Sequence, residues 1–243
     1  MTNWLSRTQL LVGEIGIKNL QNKHVLVVGM GGVGSYAAEY ICRAGINKLT
    51  IVDGDLIEET NRNRQLPALI STEGLPKVSV MAQRLKDINA DIELIVYQNY
   101  LEETKIIEIL EANQYDYVVD AIDTITPKIS LIKNCLQRKI KLISAMGAGG
   151  KLDPTQIKID DIWKTYHCTL AQQVRKTLRR WKIKGKFKAV FSTEIPDKAH
   201  LGFTSEDVRH KKSFLGTISY MPSLFGAFCA SVVVRDLIKK DSL

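Results

Sequence analysis

Apolar runs of about five residues alternate with longer stretches whose apolar positions recur every three or four residues. His24–Gly29, Lys48–Asp53, Glu93–Gln98, Tyr117–Ala121 and Lys141–Ala145 read as strands. Arg7–Leu20, Val33–Ala44, Lys77–Asn89, Lys105–Glu111 and Lys128–Gln137 read as helices, and a polar segment crosses from the second strand through Gln65. Alternation of this kind predicts an α/β fold: a doubly wound, Rossmann-like, mainly parallel sheet. From Gly147 to Phe191 the rhythm changes to a Gly-rich turn, a strand-like Gln156–Ile159 and a basic helical insertion. Ser213–Val234 carries no charge and is long enough to span a bilayer. Gly216, Pro222, Gly226 and several serines interrupt it, so the expectation is a C-terminal strand/helix elaboration, a buried strand and then a helix from about Ser223.

The first strand closes on Gly29-Met30-Gly31-Gly32-Val33-Gly34, and Asp53 ends the second. That spacing suits a nucleotide: Gly29, Gly31, Gly32 and Gly34 allow a tight turn and close approach of backbone amides to phosphates, and Asp53 offers a carboxylate to a ribose hydroxyl. On these residues alone a nicotinamide or flavin site stays open. Asp55, the run Asn61-Arg62-Asn63-Arg64-Gln65 and Lys77 then follow. Arg64 supplies a planar fork for phosphate oxygens and Lys77 a point charge, a clamp suited to ATP rather than to hydride transfer. Asp120 and Asp123 come at the end of the next strand, where a carboxylate can carry Mg²⁺ among phosphate oxygens and waters; Asp123 is the candidate metal ligand. Asp120 reads equally as a paired structural acid, and Asp55 as a cap of the crossing segment.

The formal net charge is +8, and its source is local: between Asp161 and Glu194 no acid occurs, while nine Lys and Arg do. Charge runs are usually solvated faces, but Arg175, Lys176, Arg179, Arg180, Lys182 and Lys184, interleaved with Trp181 and Phe187, are the candidate RNA-binding residues. With 243 residues one body is expected. Its nucleotide-binding core would be about 20–150, its basic RNA-contacting segment about 160–192, and its C-terminal packing segment 193–243. The four cysteines are scattered without a CxxC pair, which suits a reduced cytoplasmic protein without structural zinc, and no signal peptide is apparent.

GMGGVG, the VDGD turn, NRNRQ, the GLPK turn carrying Lys77, and DAID together resemble the E1-like (ThiF/MoeB/HesA-type) adenylating superfamily, whose members activate carboxylates with ATP. Met146-Gly147-Ala148-Gly149-Gly150, Asp153-Pro154-Thr155-Gln156, the basic helix and Phe191-Ser192-Thr193-Glu194 are similar to its tRNA threonylcarbamoyladenosine dehydratase branch. Thr124 and Lys128 stand where members that activate small proteins usually carry Asn and Arg, and the paired CxxC zinc motifs of many members are absent. The resemblance implies ribose binding by Asp53, phosphate binding by Asn61, Arg64 and Lys77 with Gln65 bracing their loop, and Mg²⁺ at Asp123. It implies a homodimer in which Arg7 enters the neighbouring subunit's ATP site, and it leaves room for a sulfur-relay protein partner. The implied substrate is tRNA carrying threonylcarbamoyladenosine.

Some E1-like enzymes form an acyl thioester. Cys42, Cys135 and Cys229 read as core residues of helices, leaving Cys168 as the one plausible exposed thiol. His24, His200 and His210 show no ligand spacing and are expected to be structural or surface residues. Two other functions compete: an E1-like activator of a ubiquitin-like or sulfur-carrier protein C-terminus, and a noncatalytic nucleotide-responsive RNA-binding module.

Overall fold

β1 (His24–Val28) buries all of its residues, and the side chains go alternately to two hydrophobic clusters: Val25 and Val27 to one, Leu26 and Val28 to the other. A strand that is apolar on both faces needs cover on both. The structure, a computed structural model, describes residues 4–197, 201–203 and 213–239. It places β1 in the middle of a seven-stranded sheet with β2 (Lys48–Val52), β3 (Glu93–Tyr97), β4 (Tyr117–Asp120), β5 (Leu142–Ala145), β6 (Ile157–Asp161) and β7 (Lys188–Ser192). The order is β3-β2-β1-β4-β5-β7-β6, parallel throughout except for β6, which runs antiparallel along the edge. α1 (Ser6–Gln21), α2 (Gly34–Arg43), α3 (Lys77–Ile88) and α7 (Tyr220–Leu237) cover one face; α4 (Glu103–Ala112), α5 (Ile125–Gln137) and α6 (Thr169–Arg180) cover the other. The doubly wound sheet expected from the alternation is therefore present, and its strand order reverses between β1 and β4.

The differences from expectation are local. β7 was not foreseen: Ala189, Val190 and Phe191 form an apolar run too short to stand out among lysines, yet they fill the slot between β5 and β6. The tail of the basic segment is thus a buried strand. α1 is broken at Gly13, whose φ of 75° and ψ of 171° lie outside the helical region. The uncharged C-terminal stretch begins as a strand, β9 (Ser213–Leu215), which pairs with β8 (Leu201–Phe203) in a separate two-stranded ribbon. α7 then starts at Tyr220, earlier than expected, and lies backbone to backbone on α2: a Cβ on Gly226 would fall 2.4 Å from the Val33 carbonyl oxygen. Its apolar surface is used in that packing, and no helix among the described residues is long and apolar enough to cross a membrane. His200 and His210 lie outside the described residues, as do parts of segment 193–243. His24 is buried in the core, its Nε2 2.8 Å from Thr50 Oγ1, and burial next to Lys48 lowers its pKa to about 4.

Three helices end alike. After α2, α5 and α6 the chain takes a left-handed residue, Gly45, Lys139 and Lys182 with φ of 101°, 56° and 54°. Each is followed by an isoleucine whose N–H donates back five residues along the chain: Ile46 to Ile41, Ile140 to Cys135, Ile183 to Leu178. This is the Schellman termination, in which a returning apolar residue seals the last turn. Glycine marks only the first.

The deepest polar feature is an ion pair. Lys128 Nζ lies 2.7 Å from Asp120 Oδ2 with both side chains fully buried, Ser144 Oγ donates to the same oxygen at 2.5 Å, and the Ile122 N–H donates to Oδ1 at 3.1 Å. Asp120 is therefore the paired structural acid of the two readings, and Lys128 is its counter-ion at the start of α5. Removing one partner leaves a buried charge uncompensated. Lys128→Met is expected to cost about 3–5 kcal/mol, read as a fall in the urea midpoint; the double change Lys128→Met, Asp120→Leu is expected to recover part of that loss.

Candidate active site

The carboxyl ends of β1, β2 and β4 bring the sequence-marked residues to one rim of the sheet, at the point where the strand order reverses. Gly29 turns the chain out of β1 with φ of 93°, and a Cβ there would meet the Ala121 carbonyl oxygen at 2.9 Å. Gly34 opens α2 so close to that turn that a Cβ would fall 1.8 Å from the Gly29 carbonyl oxygen. Gly31 faces the amide of Gln65, and Gly32 packs between Pro222 and the Arg64 backbone.

Asp53 fastens the turn. Its Oδ2 accepts from the Met30 N–H at 2.6 Å and its Oδ1 from the Asp55 N–H at 2.7 Å. A carboxylate accepts about four hydrogen bonds, so acceptor capacity remains for ribose hydroxyls. Burial raises the Asp53 pKa above the usual carboxylate value, opposed by nearby Lys77 and by the two backbone donors. Lys77 begins α3 with its side chain almost wholly buried, and its Nζ donates to Asp55 Oδ2 at 2.8 Å. Asp55 thus aims Lys77, while its own side chain stays exposed at the rim.

The crossing segment carries one short 3₁₀ turn, Glu59–Asn61, and a second, Ile70–Thr72, follows it. Asn61 is buried and its Oδ1 accepts from the Glu58 N–H at 3.3 Å, fixing the loop that presents Arg64. Arg64 Nη1 is held by the Thr60 carbonyl at 2.9 Å and by Asn63 Oδ1 at 2.8 Å. Among the described residues Gln65 Oε1 is buried without a hydrogen-bond partner, an acceptor that a ligand hydroxyl or its bound water would satisfy. Asp123 stands exposed three residues beyond Asp120, just past the end of β4. Among the described residues no three His, Cys, Asp or Glu side chains gather to hold a metal, so a cation at Asp123 would take its remaining ligands from phosphate and water, as Mg²⁺ does. The donors and the glycine turn fit a nucleotide with its phosphates across Gly29–Gly34.

The ThiF family pattern matches residues 5–243. The chain belongs to the ThiF family. It is similar to the tRNA threonylcarbamoyladenosine dehydratase of Bacillus subtilis strain 168, with 40% identity over 98% of this chain and 96% of that one. Its likeness to the enzyme of that name from Haemophilus influenzae is 39% over 93% and 90%. Its fold matches that of the Escherichia coli tRNA N6-threonylcarbamoyladenosine dehydratase solved in complex with ATP, with a TM-score of 0.86 and 34% identity, covering 96% of this chain and 93% of that one.

Other residues of this ThiF-family chain lie away from the crevice. Arg7 is exposed on α1, and Leu5 just before it packs under Gly45, at the turn that feeds β2 from the opposite rim. Arg7 therefore cannot serve its own chain's crevice. α6 starts at the catalytic rim, where His167 Nδ1 lies 3.1 Å from the Thr193 carbonyl oxygen beyond β7, and runs back toward the far rim where β7 begins. Arg175 and Lys176 sit midway, and Arg179, Arg180, Lys182 and Lys184 lie toward the far end. Arg175 is half-buried and donates to Thr165 Oγ1, and Arg179 lies over the Trp163 ring at 5.4 Å. Trp181 is 46% exposed, but Phe187 is buried, which removes it as a stacking residue. All four cysteines are buried, Cys168 included, so the one thiol expected to be exposed is not; burial pushes the Cys42, Cys135 and Cys229 thiols up to about 12.

Ionised, Asp53 accepts from both backbone donors, one with each of its oxygens. Because its pKa is raised, ATP affinity is expected to fall on acidification at a pH above the ordinary carboxylate range. Asp53→Asn should bind ATP more weakly at neutral pH and lose that acid limb, as measured by calorimetric titration across pH.

Proposed function

We propose that this chain is an ATP-dependent tRNA threonylcarbamoyladenosine dehydratase. The observation that carries the reading is the conjunction of a phosphate clamp, Arg64 and Lys77 beside the glycine turn, with an acid-free cationic helix that starts at the same rim. The relatives of that name support it through their near-complete mutual coverage.

Asp53 binds the ribose, and Asn61, Arg64 and Lys77 hold the phosphates. Asp123 would hold Mg²⁺, which when bound draws charge from the phosphate oxygens. The threonylcarbamoyl carboxylate oxygen attacks the α-phosphorus; the bond to the bridging oxygen breaks and pyrophosphate leaves, with Arg64 and Lys77 facing the growing negative charge. The ureido group of the same modification then attacks the acyl carbon, AMP departs and a ring closes, for a net loss of one water from the nucleoside. Attack within one molecule already has the advantage of proximity, so no protein thiol is needed, and the burial of all four cysteines is consistent with that. Those unpaired thiols also suit a reducing cytoplasm.

The active unit in this reading is a homodimer. α1 exposes Leu10 and Leu11, at 89% and 86%, and Ile15 at 65%, an apolar strip beside Arg7 that a second copy would cover. Arg7, turned away from its own crevice, then completes the neighbour's. Mixing Arg7→Ala with Lys77→Ala protein, each inactive alone, is expected to restore up to about a quarter of wild-type activity through mixed dimers with one intact site; no restoration would exclude sharing across subunits.

The deciding assay incubates the protein with ATP, Mg²⁺ and tRNA bearing threonylcarbamoyladenosine, then weighs the nucleosides. Loss of one water from the modified nucleoside is the expected result; ATP turnover with only a protein C-terminus as acceptor would select the small-protein activator instead. The paired change Arg179→Glu, Arg180→Glu should weaken tRNA binding at least tenfold and flatten its salt dependence, with ATP affinity unchanged.

A further inference from the structure

Beyond β7, at the rim that carries the nucleotide crevice, Gln156, Tyr166, His167, Thr193, Glu194 and Ile195 line a pocket of about 430 Å³. It is an open depression rather than an enclosed cavity. No residue of the clamp contributes to it. Tyr166 is 43% exposed, yet its position is fixed from several sides. Its ring meets His167 at 5.1 Å and Phe191 at 5.7 Å, both edge-on, and Lys158 Nζ lies 2.8 Å from its hydroxyl and 5.4 Å from its centroid. An aromatic side chain that is both immobilised and open to solvent is a platform rather than a packing residue.

The pocket walls are equally organised. His167 holds a left-handed backbone with φ of 56°, unusual for any residue but glycine. Such outliers persist where the surroundings enforce them and cluster at functional sites. Beside this turn the His167 Nδ1 donates to the Thr193 carbonyl oxygen, and Nε2 is the ring's other polar edge. Thr193 Oγ1 lies 3.1 Å from Gln156 Oε1, and Gln156 Nε2 donates to Asp153 Oδ2 at 3.1 Å. Glu194 accepts from the Leu152 and Asp153 N–H groups, so its carboxylate is spent on the backbone of the glycine-rich loop.

An aromatic platform, a cation beside it, amide and imidazole edges and a cationic helix starting directly after His167 are the parts that recognise an unpaired nucleobase. Three strand spacings of about 4.8 Å separate the ends of β1 and β7. That is longer than the few bonds joining the reacting carboxylate to its own base. We propose that the Tyr166–His167 pocket receives a nucleobase flanking the modified adenosine, stacked on Tyr166 and read at its edge by His167 and Gln156. This rests on the RNA substrate proposed above and adds a second, base-specific contact to it.

The test uses hairpin RNAs bearing threonylcarbamoyladenosine, with each nucleotide flanking it replaced in turn by an abasic residue, and full-length wild-type, Tyr166→Ala and Tyr166→Phe protein. Removing one particular flanking base should lower wild-type kcat/KM about tenfold to a hundredfold, the range of a lost base–aromatic stack. Tyr166→Ala should lose as much on the intact hairpin and be indifferent to the abasic change, whereas Tyr166→Phe should behave nearly as wild type. ATP affinity should be equal in all three, which establishes that each is folded. Additive losses, or wild-type turnover by Tyr166→Ala, would overturn the pocket assignment while leaving the dehydratase reading intact. Absence of turnover by wild type on every modified RNA would overturn both.

Discussion

The buried pair between Lys128 and Asp120 is the constraint on which the crevice depends. Asp120 ends the strand at which the sheet reverses, and its two oxygens tie together three neighbours: α5 through Lys128, β5 through Ser144, and the turn beyond β4 through the Ile122 N–H. Ala121, held in that turn, is the wall against which Gly29 bends and beside which Gly34 starts α2. Asp123 follows within the same few residues. The glycine turn, the first turn of α2 and the candidate metal ligand are therefore all referenced to one ion pair that never meets solvent. Its desolvation is costly, and the return is geometric, a rim whose pieces are fixed before any ligand arrives.

A second level of organisation rests on acids that bind protein groups. Asp53 spends two hydrogen bonds on Met30 and Asp55, Asp55 spends its side chain on Lys77, and Glu194 spends both oxygens on the loop after β5. The structure shows a relay, in which Asp53 accepts from the Asp55 N–H and the Asp55 side chain in turn orients Lys77.

The doubly wound sheet was legible because its central strands are mostly apolar and alternate with helices, a pattern that suits a sheet covered on both faces. The gathering of the crevice residues was legible too: the glycines, Asp53, Arg64 and Lys77 carry chemistry that their spacing points to, whereas Asn61 entered through the family resemblance. Side-chain pairing across the fold was not. Nothing near Lys128 announces that it is buried on Asp120, and nothing near Cys168 distinguishes a covered thiol from an open one. The end of α5 was read at Gln137, where it falls, but the end of α6 was obscure for a definite reason: Lys182 occupies a left-handed position where glycine is the usual signal, and only the returning Ile183 marks the stop. β7 was missed because its apolar core is short and flanked by lysine. The Tyr166–His167 pocket draws on three separate segments, and its aromatic pair had no periodicity to betray it.

The reversed direction of β6 has a further effect, on how the protein keeps to itself. A parallel sheet that ended at β7 would expose an almost wholly buried-type strand, Ala189 to Ser192, with its backbone donors and acceptors unpaired along a flat edge. β6 takes that place with alternating exposure, presenting Lys158 and Asp160 outward and ending in a turn capped by Asp161. Charged outward positions on a short final strand discourage another chain from adding to the sheet. The same five residues that give Lys158 to Tyr166 thus also act as a guard against edge-to-edge aggregation, so mutations that neutralise β6 should trade solubility as well as recognition.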